Sequence, residues 1–364
     1  AVFYTLFPSH MRLSIMENQL QTTNSNHPSS GGFTFSVNKP ILQNKSPPGR
    51  GGSSGVYANG KLVVFGGHYF SGDDKFVYLN ETWLLDVENL VWHQVSCSGD
   101  LPGPRYGHSA HVLGSRMFVF GGKGPGETVY KDVYFLDLVE WVWVPVNVIS
   151  EMPLPRFFHA AEVVGRKIVI HGGWDGSDVF NDLWIFNTDS FVWMQPRSAG
   201  FGPTPRYGHS LTLTPDGRLL IFGGCSFQDS GIPKYNDDVR QLDVDTMVWS
   251  RPRLTGQVPT GRYGHSATLL GDGKLFVFGG WGKGGCQSKD LIDDMRAFTT
   301  AILDTKTMTW YVPKKLGHKQ VKHTYNHATC RCGPTSVYMF GGFDGRQSLG
   351  DFHVLNTDTE NETY

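Results

Sequence analysis

Residues 105–122 read RYGHSAHVLGSRMFVFGG, and variants of this stretch recur five more times along the 364-residue chain. A complete copy opens on an arginine, carries a histidine three residues later, and closes on a glycine pair after a short apolar run. The glycine pairs begin at residues 66, 121, 172, 223, 279 and 341, so the copies stand 51 to 62 residues apart. A repeat of this length indicates an array of similar supersecondary units.

A tryptophan follows each of the first five glycine pairs, after a polar loop, an apolar run and a short turn. Four of these tryptophans stand thirteen residues before the next arginine. Each unit therefore predicts four strands. The first begins at the histidine, the second ends at the glycine pair, the third is the apolar run, and the fourth carries the tryptophan. The five tryptophans are Trp92, Trp143, Trp193, Trp249 and Trp310.

Turn residues and apolar runs agree with this assignment. Asn59-Gly60, Asp216-Gly217 and Asp272-Gly273 predict tight hairpins between strands one and two. Strand two is almost wholly apolar, as in Met117 to Phe120, which favours burial on both faces. Four-stranded sheets repeated radially form a β-propeller, so six glycine pairs predict six blades. We expect the glycines to allow close approach to a neighbouring backbone and the tryptophans to pack between blades.

The apolar-Gly-Gly ending, the later tryptophan and the period resemble the Kelch repeat family. The Arg-x-x-His variant is similar to that of the host cell factor, Rab-effector and leucine-zipper-like-regulator type of Kelch protein. The resemblance covers residues 33–364 and implies an all-β, six-bladed propeller of four-stranded antiparallel blades. It implies little about function, because one fold hosts many functions. We expect residues 1–32 to form a flexible leader or linker.

The ring needs a fourth strand for its sixth blade. No tryptophan follows the last apolar run, which ends near Leu355, whereas Phe33 to Val37 forms an apolar segment with no blade of its own. We predict that this N-terminal segment supplies the missing strand and removes two open sheet edges. The alternative is a native fourth strand that starts within Thr359 to Tyr364.

Composition limits the partners. The chain has 32 basic and 33 acidic residues, and its net charge of −1 argues against a general electrostatic grip on nucleic acid or anionic lipid. Five cysteines form no paired framework, which favours a reducing compartment, and we expect a cytoplasmic protein. No apolar run approaches the ~20 residues of a membrane span, so we expect no membrane insertion.

Three local motifs suggest chemistry, and each has a simpler explanation. Gly51 to Gly55 matches G-x-S-x-G, and Gly280 to Gly285 matches G-x-G-x-x-G, but neither is followed by the helix that its chemistry needs. His323, His327, Cys330 and Cys332 suggest zinc, yet strand alternation places both cysteines opposite His327. The residue sets of galactose oxidase and of nitrile-specifier-like proteins are not matched. We therefore expect no enzyme activity, cofactor or metal.

Arginines and histidines recur at matching places in the repeat, and two interpretations stay open. They build the blades, with arginine bonding the carbonyls of the proline-bent loop before it, or they line a channel mouth that binds a ligand. The channel-mouth candidates are Arg105, His108, Arg156, His159, Arg206, His209, Arg262, His265 and His327.

Function is expected where the blades differ, which is in the loop after each glycine pair. Strand direction places these loops on the same face as the arginines and histidines. Aromatic and charged residues on loops held by a rigid scaffold suit partner binding, although each aromatic could instead pack over its own blade. The partner-binding candidates are Tyr69, Trp174, Asp175, Phe227, Trp281, Lys283, Phe343 and Arg346.

The sequence thus predicts a non-catalytic scaffold that binds another protein or a peptide on this face. One alternative is a Kelch-type enzyme, or a propeller that binds a small ligand or metal at the channel mouth. Another is the Kelch portion of a larger adaptor or phosphatase protein.

Overall fold

The computed structural model describes residues 33–72, 75–228, 231–282, 300–316 and 323–359. Every regular element in these ranges is a β-strand, and six sheets of four or five strands form a six-bladed propeller. The predicted fold class is therefore confirmed. No helix long and apolar enough to cross a membrane occurs among the described residues.

The strands follow the predicted order within each blade. In chain order they are β1 (Phe33–Asn38), β2 (Ser54–Ala58), β3 (Lys61–Phe65), β4 (His68–Phe70), β5 (Phe76–Tyr78), β6 (Thr82–Asp86), β7 (Val91–Val95), β8 (Ser98–Gly99), β9 (Ser109–Leu113), β10 (Arg116–Phe120), β11 (Val133–Asp137), β12 (Val142–Pro145), β13 (Ala160–Val164), β14 (Lys167–Trp174), β15 (Val179–Asn187), β16 (Val192–Met194), β17 (Ala199–Gly200), β18 (Ser210–Leu213), β19 (Arg218–Phe222), β20 (Cys225–Phe227), β21 (Pro233–Tyr235), β22 (Val239–Asp243), β23 (Val248–Ser250), β24 (Thr255–Gly256), β25 (Arg262–Tyr263), β26 (Ser266–Leu269), β27 (Lys274–Phe278), β28 (Trp281–Gly282), β29 (Thr300–Asp304), β30 (Thr309–Tyr311), β31 (Lys314–Leu316), β32 (Ala328–Arg331), β33 (Ser336–Phe340) and β34 (Phe352–Thr359).

Blade one is β2-β3-β6-β7, and blade three is β13-β14-β15-β16. Blades two, four and five repeat this order with β9-β10-β11-β12, β18-β19-β22-β23 and β26-β27-β29-β30, each extended by a fifth, parallel edge strand. Of the three predicted hairpins, only Asn59-Gly60 is a two-residue turn, with both residues at positive φ. The other two glycine turns lie in longer loops. Thr214 donates its N–H to the Arg218 carbonyl and accepts from the Gly217 N–H, and Leu270 makes the same contacts with Lys274 and Gly273.

Blade six closes the ring as predicted from the sequence. Its order is β32-β33-β34-β1, and β1 pairs antiparallel with β34 from Phe33↔Thr359 to Asn38↔Val354. The N-terminal segment therefore supplies the fourth strand of the last blade, and β31 adds a parallel edge strand to it. The side chain of Phe35 is buried between blades, 6.0 Å from the ring of Phe276 in blade five.

The core is divided into apolar clusters that join neighbouring blades. In each cluster a strand-four tryptophan packs on strand two of the preceding blade, and Phe35 takes this place in blade six. The ring pairs and centroid distances are Trp92–Phe340 5.0 Å, Trp143–Phe65 4.7 Å, Trp193–Phe120 4.9 Å, Trp249–His171 5.7 Å and Trp310–Phe222 5.0 Å.

The glycine pairs let one blade touch the backbone of the next. Gly121 has a φ of +66°, and a Cβ added there would lie 2.6 Å from the Arg156 carbonyl oxygen of the following blade. The neighbouring Gly122 donates its N–H to that same oxygen at 2.9 Å. A side chain at Gly121 would break this approach, which explains why every blade ends strand two with glycine.

Candidate partner-binding face

One face of the propeller carries both the arginine motifs and the loops after the glycine pairs. In every blade the residue after the arginine position pairs with the residue after the glycine pair. We call this surface the axial face. The pairs that define it are Gly51–His68, Tyr106–Lys123, Phe157–Trp174, Tyr207–Cys225, Tyr263–Trp281 and Tyr325–Phe343.

A ring of backbone hydrogen bonds surrounds the axis on this face. One residue from each blade donates its N–H to the matching carbonyl of the preceding blade, at 2.7 or 2.8 Å, and the ring closes on itself. All six residues have φ between +51° and +66°, which glycine adopts without strain. Only Phe158 and Asn326 carry side chains here. The members are Gly52, Gly107, Phe158, Gly208, Gly264 and Asn326.

Aromatic side chains form a layer outside this ring. Tyr207 and Tyr263 lie 5.9 Å apart, and Tyr263 and Tyr325 lie 6.0 Å apart, measured between ring centroids. On the other side Trp174 stacks on Tyr207 at 5.2 Å and also contacts Phe157. Blade one has Gly51 at this place, and the ring of its pairing partner His68 lies 4.2 Å from that of Tyr106. The face therefore has a largely aromatic floor.

Two short hairpins rise from blades one and four, three blades apart. The first is β4 with β5, and the second is β20 with β21. Phe227 of the second hairpin lies 6.1 Å from both Trp174 and Tyr207. An open groove of about 840 Å³ lies between this hairpin and the loop of blade three. Its lining includes Ser177, Val179, Pro205, Phe227, Gln228 and Lys234.

Three of the predicted partner-binding aromatics contact the tyrosines of this layer. Trp174 and Phe227 are half-buried and contact each other, and Trp281 is half-buried with its ring 5.2 Å from Tyr325. Tyr69 is half-buried in the hairpin of blade one, away from these three. Phe343 differs, since it is only 6% exposed and packs on Tyr325.

Two of the three charged candidates lie within the described residues, and their surroundings differ. Arg346 is exposed. The Asp175 carboxylate accepts hydrogen bonds from the backbone N–H groups of Ser177 and Asp178, both at 2.7 Å, and so shapes its own loop. Lys283 lies outside the described residues.

The channel-mouth arginines lie inside the blades. Arg156 is fully buried, donates from Nε to the Leu154 carbonyl, and binds the Asp182 carboxylate with both terminal nitrogens at 2.6 and 2.9 Å. Burial acts to raise the pKa of Asp182, but the Arg156 guanidinium outweighs burial and holds that pKa below its usual value. Arg105 and Arg206 make the same contacts with Asp132 and Asp238, and Arg262 donates to the Thr260 and Gly279 carbonyls.

The carboxylate partners were missed from the sequence. Their signal was available, because an acidic residue stands directly before the apolar run of strand three in blades one to four. These residues are Glu81, Asp132, Asp182 and Asp238.

The channel-mouth histidines link neighbouring blades. His108 contacts the Ser54 hydroxyl of the preceding blade through Nε2 at 2.9 Å, and burial lowers the pKa of His108 to about 3. The ring is therefore neutral at physiological pH. The corresponding pairs are His159–Ser109 at 2.8 Å, His265–Ser210 at 3.1 Å and His327–Ser266 at 2.9 Å.

Blade three replaces the serine but keeps the link. Ala160 stands where the other complete copies carry serine, so His209 has no hydroxyl to meet. His171 stands where the other blades carry phenylalanine before the glycine pair, and its Nδ1 lies 3.0 Å from Nε2 of His209. The two substitutions compensate each other, and their coincidence in one repeat was the signal that could have revealed the contact.

The local motifs fall within the propeller architecture. Ser53 of the G-x-S-x-G string is buried directly before β2, and a strand follows it in place of a helix. Cys330 packs against the cluster between blades six and one. No group of three or more His, Cys, Asp or Glu side chains placed to hold a metal occurs within the described ranges. The G-x-G-x-x-G string extends beyond them.

Comparison with known proteins agrees with this architecture. The model of the KLHDC2/KLHL20/DRC7 Kelch-repeats domain matches residues 56–280 and 192–363. Host cell factor of Drosophila melanogaster is 31% identical over 86% of the chain and 22% of its own length. Acyl-CoA-binding domain-containing protein 4 of Arabidopsis thaliana is 27% identical over 81% of the chain and 34% of its own length.

Human host cell factor 1 is 28% identical over 88% of the chain and 14% of its own length. The chain thus spans about a third or less of these relatives. With the family model covering most of its length and the six blades all present, the chain belongs to the Kelch-repeat family.

Proposed function

We propose that this propeller is a non-catalytic scaffold that binds a partner protein or peptide on its axial face. The observation that carries the proposal is a set of three half-buried aromatics on the axial face, in which Trp174 and Phe227 contact each other and Trp281 contacts the aromatic layer at Tyr325. Partly buried aromatic side chains on a rigid support are typical of residues that dominate binding energy at interfaces.

The position of the other recurring residues supports the same proposal. The arginines are buried and donate hydrogen bonds within their own blades, and each histidine uses Nε2 to contact the preceding blade, so these contacts hold the blades together. The variable loops are left as the part of this face that differs from blade to blade. The near-zero net charge favours recognition by shape and apolar contact over general electrostatic attraction.

A peptide selection tests the proposal and does not require the partner to be identified. Random peptides displayed on phage would be selected on the immobilised protein, and the enriched sequences would be synthesised and titrated by calorimetry. We expect Trp174→Ala and Trp281→Ala each to weaken binding about tenfold or more, because truncating an anchor residue costs ~2 kcal/mol or more.

The matched control is Phe201→Ala, which removes an aromatic ring that is 84% exposed in the connection between blades three and four. Its affinity should equal that of the wild type. Peptides whose affinity is unchanged by both tryptophan variants, with the fold intact, would show that the axial face is not the binding surface.

A further inference from the structure

The connections between blades add a strand to the rim of the next blade. Ser98–Gly99, Ala199–Gly200 and Thr255–Gly256 each pair in parallel with the tryptophan strand that follows. The residues on either side of each glycine donate their N–H groups to two carbonyls, one from the residue directly before that strand and one from its tryptophan. In blade two, Ser98 donates to Trp141 at 3.0 Å, and Asp100 donates to Trp143 at 3.1 Å.

The central glycine is required by the close approach of the two strands. Gly99 has a φ of +82°, and a Cβ built there would lie 2.3 Å from the Trp143 carbonyl oxygen. Gly200 and Gly256 repeat this geometry, with distances of 2.2 and 2.1 Å to the carbonyls of Trp249 and Trp310. Any side chain at this place must push the connection away from the rim.

Blade three has such a side chain. Ser150 stands six residues before Arg156, as each of these glycines stands before its own arginine, and the connection has the same length as the others. The Ser150 hydroxyl accepts the Trp193 N–H at 2.9 Å in place of a backbone carbonyl. Among the described residues, the carbonyls of Phe191 and Trp193 accept no hydrogen bond from this connection.

Blade one shows that a side chain is able to close the edge fully. Asn44 occupies the glycine place there, and its amide both accepts from the Trp92 N–H and donates to the Trp92 carbonyl. Gln43 also donates its backbone N–H to Leu90 at 2.9 Å. Blade three has one side-chain hydrogen bond at this edge where blade one has two side-chain bonds and one backbone bond, so the rim of blade three is the less protected of the two four-stranded blades.

We propose that the outer edge of β16 binds an extended segment of a partner protein as a fifth, parallel strand. The three glycine-containing strands that the chain adds to its own rims define the ligand: a small residue, then glycine at positive φ, then any residue that donates an N–H. This segment displaces the Ser150 hydroxyl and donates to the Phe191 and Trp193 carbonyls. Open strand edges are templates for such pairing.

The side chains along this edge suit an apolar segment. Met194 is 52% exposed on β16, and Ile149 is 88% exposed on the adjacent connection. Leu154 and Val192 are also exposed nearby. This rim is separate from the axial face, so the proposal does not depend on the proposed function.

The test uses a synthetic peptide of residues 253–259, which contains the Thr255-Gly256 pair, and follows the Trp193 backbone amide by NMR. We expect a saturable shift of that amide with the wild-type protein. The same peptide with Gly256→Val should bind at least tenfold more weakly, because its side chain meets the Trp193 carbonyl. Absence of a saturable shift at Trp193 would overturn the proposal.

A protein variant gives an independent check. Ser150→Gly should let the connection form its own fifth strand, weaken the peptide at least tenfold, and leave the thermal unfolding midpoint unchanged or raised. Ser150→Asn should copy blade one and weaken the peptide as well. Equal affinity for wild type and Ser150→Gly would contradict the proposal. The proposal would also be contradicted if the wild type sedimented as a dimer and Ser150→Gly as a monomer. The strand bound at the edge of β16 would then come from a second copy of this chain.

Discussion

The junction between blades two and three differs from the junction between blades six and one, where the ring closes. In the first, His159 reaches the Ser109 hydroxyl, and blade three holds Arg156 against Asp182. At the closure, Ser53 stands in the histidine place and Ala328 in the serine place. Thr324 replaces the arginine of blade six.

Both junctions nevertheless keep the same backbone contacts. Gly342 donates to the Arg50 carbonyl at 2.8 Å, as Gly122 donates to Arg156, and the axial ring passes through both junctions. At the closure the inner strands approach so closely that a Cβ on Gly55 would lie 3.0 Å from that of Ala328. Backbone pairing between blades is therefore common to both junctions and forms the propeller, whereas the buried arginine and histidine side chains reinforce the regular junctions.

The largest expected effect is a loss of stability at low pH, because protonation of the buried histidines disfavours the regular junctions. Burial lowers the pKa of His108, His265 and His327 to about 3, against an ordinary value of 6.5. Between these values the unfolded chain binds protons that the folded protein does not. The free energy of unfolding therefore falls as pH falls below 6.5, by up to about 1.4 kcal/mol per pH unit for each histidine.

Urea unfolding at unit steps from about pH 7.5 to 4.5 measures this slope. Burial raises the pKa of Glu162 to about 7, which gives an opposite slope, but a single carboxyl is outweighed by several histidines. His108→Gln should make the dependence shallower by about one proton. Stability that stays flat from pH 6.5 to 4.5 would contradict the assignment of neutral, buried histidines at the junctions.

Removing one buried arginine should have the next largest effect. Arg156→Met deletes a guanidinium that is fully buried, leaves the Gly172 carbonyl without its side-chain donor, and leaves the Asp182 carboxylate with the Trp184 indole N–H but no cation. Breaking a buried ion pair from one side costs about 3–5 kcal/mol, and we expect a loss of that size in urea unfolding. Thr324→Ser, at the matching place in blade six, serves as the control and should cost less than about 1 kcal/mol.

Much of this architecture was predictable from local sequence because each blade repeats it. The six glycine pairs predicted the blade count, the tryptophans predicted the contacts between blades, and Phe33 to Val37 predicted the closing strand. The axial ring was not predictable, since the left-handed conformations of Phe158 and Asn326 follow from hydrogen bonds between blades. The exposure of the candidate aromatics also depended on packing, as the burial of Phe343 shows.

Replacing one serine with alanine in each junction should destabilise the two junctions by different amounts. Ser109→Ala removes the partner of His159 and leaves a buried ring nitrogen unsatisfied, which costs about 1–3 kcal/mol. The Ser53 hydroxyl is buried and has no hydrogen-bond partner within the described residues, so Ser53→Ala should be neutral or slightly stabilising. Thermal and urea unfolding of both variants measure the difference. Equal losses would mean that the histidine–serine contact adds nothing beyond packing.

The smallest effect is expected at the charge pair that stands beside the closure. Asp351 directly precedes strand three of blade six, and its cation is Lys39, at 2.6 Å, because Thr324 cannot supply one. Both side chains are partly exposed, so water and salt weaken their attraction. Lys39→Met should lower the free energy of unfolding by less than about 1 kcal/mol, and this loss should shrink as salt is added, unlike the loss in Arg156→Met. A salt-independent loss as large as that of Arg156→Met would mean that Lys39 fully replaces the buried arginine, and the distinction between the two junctions would then disappear.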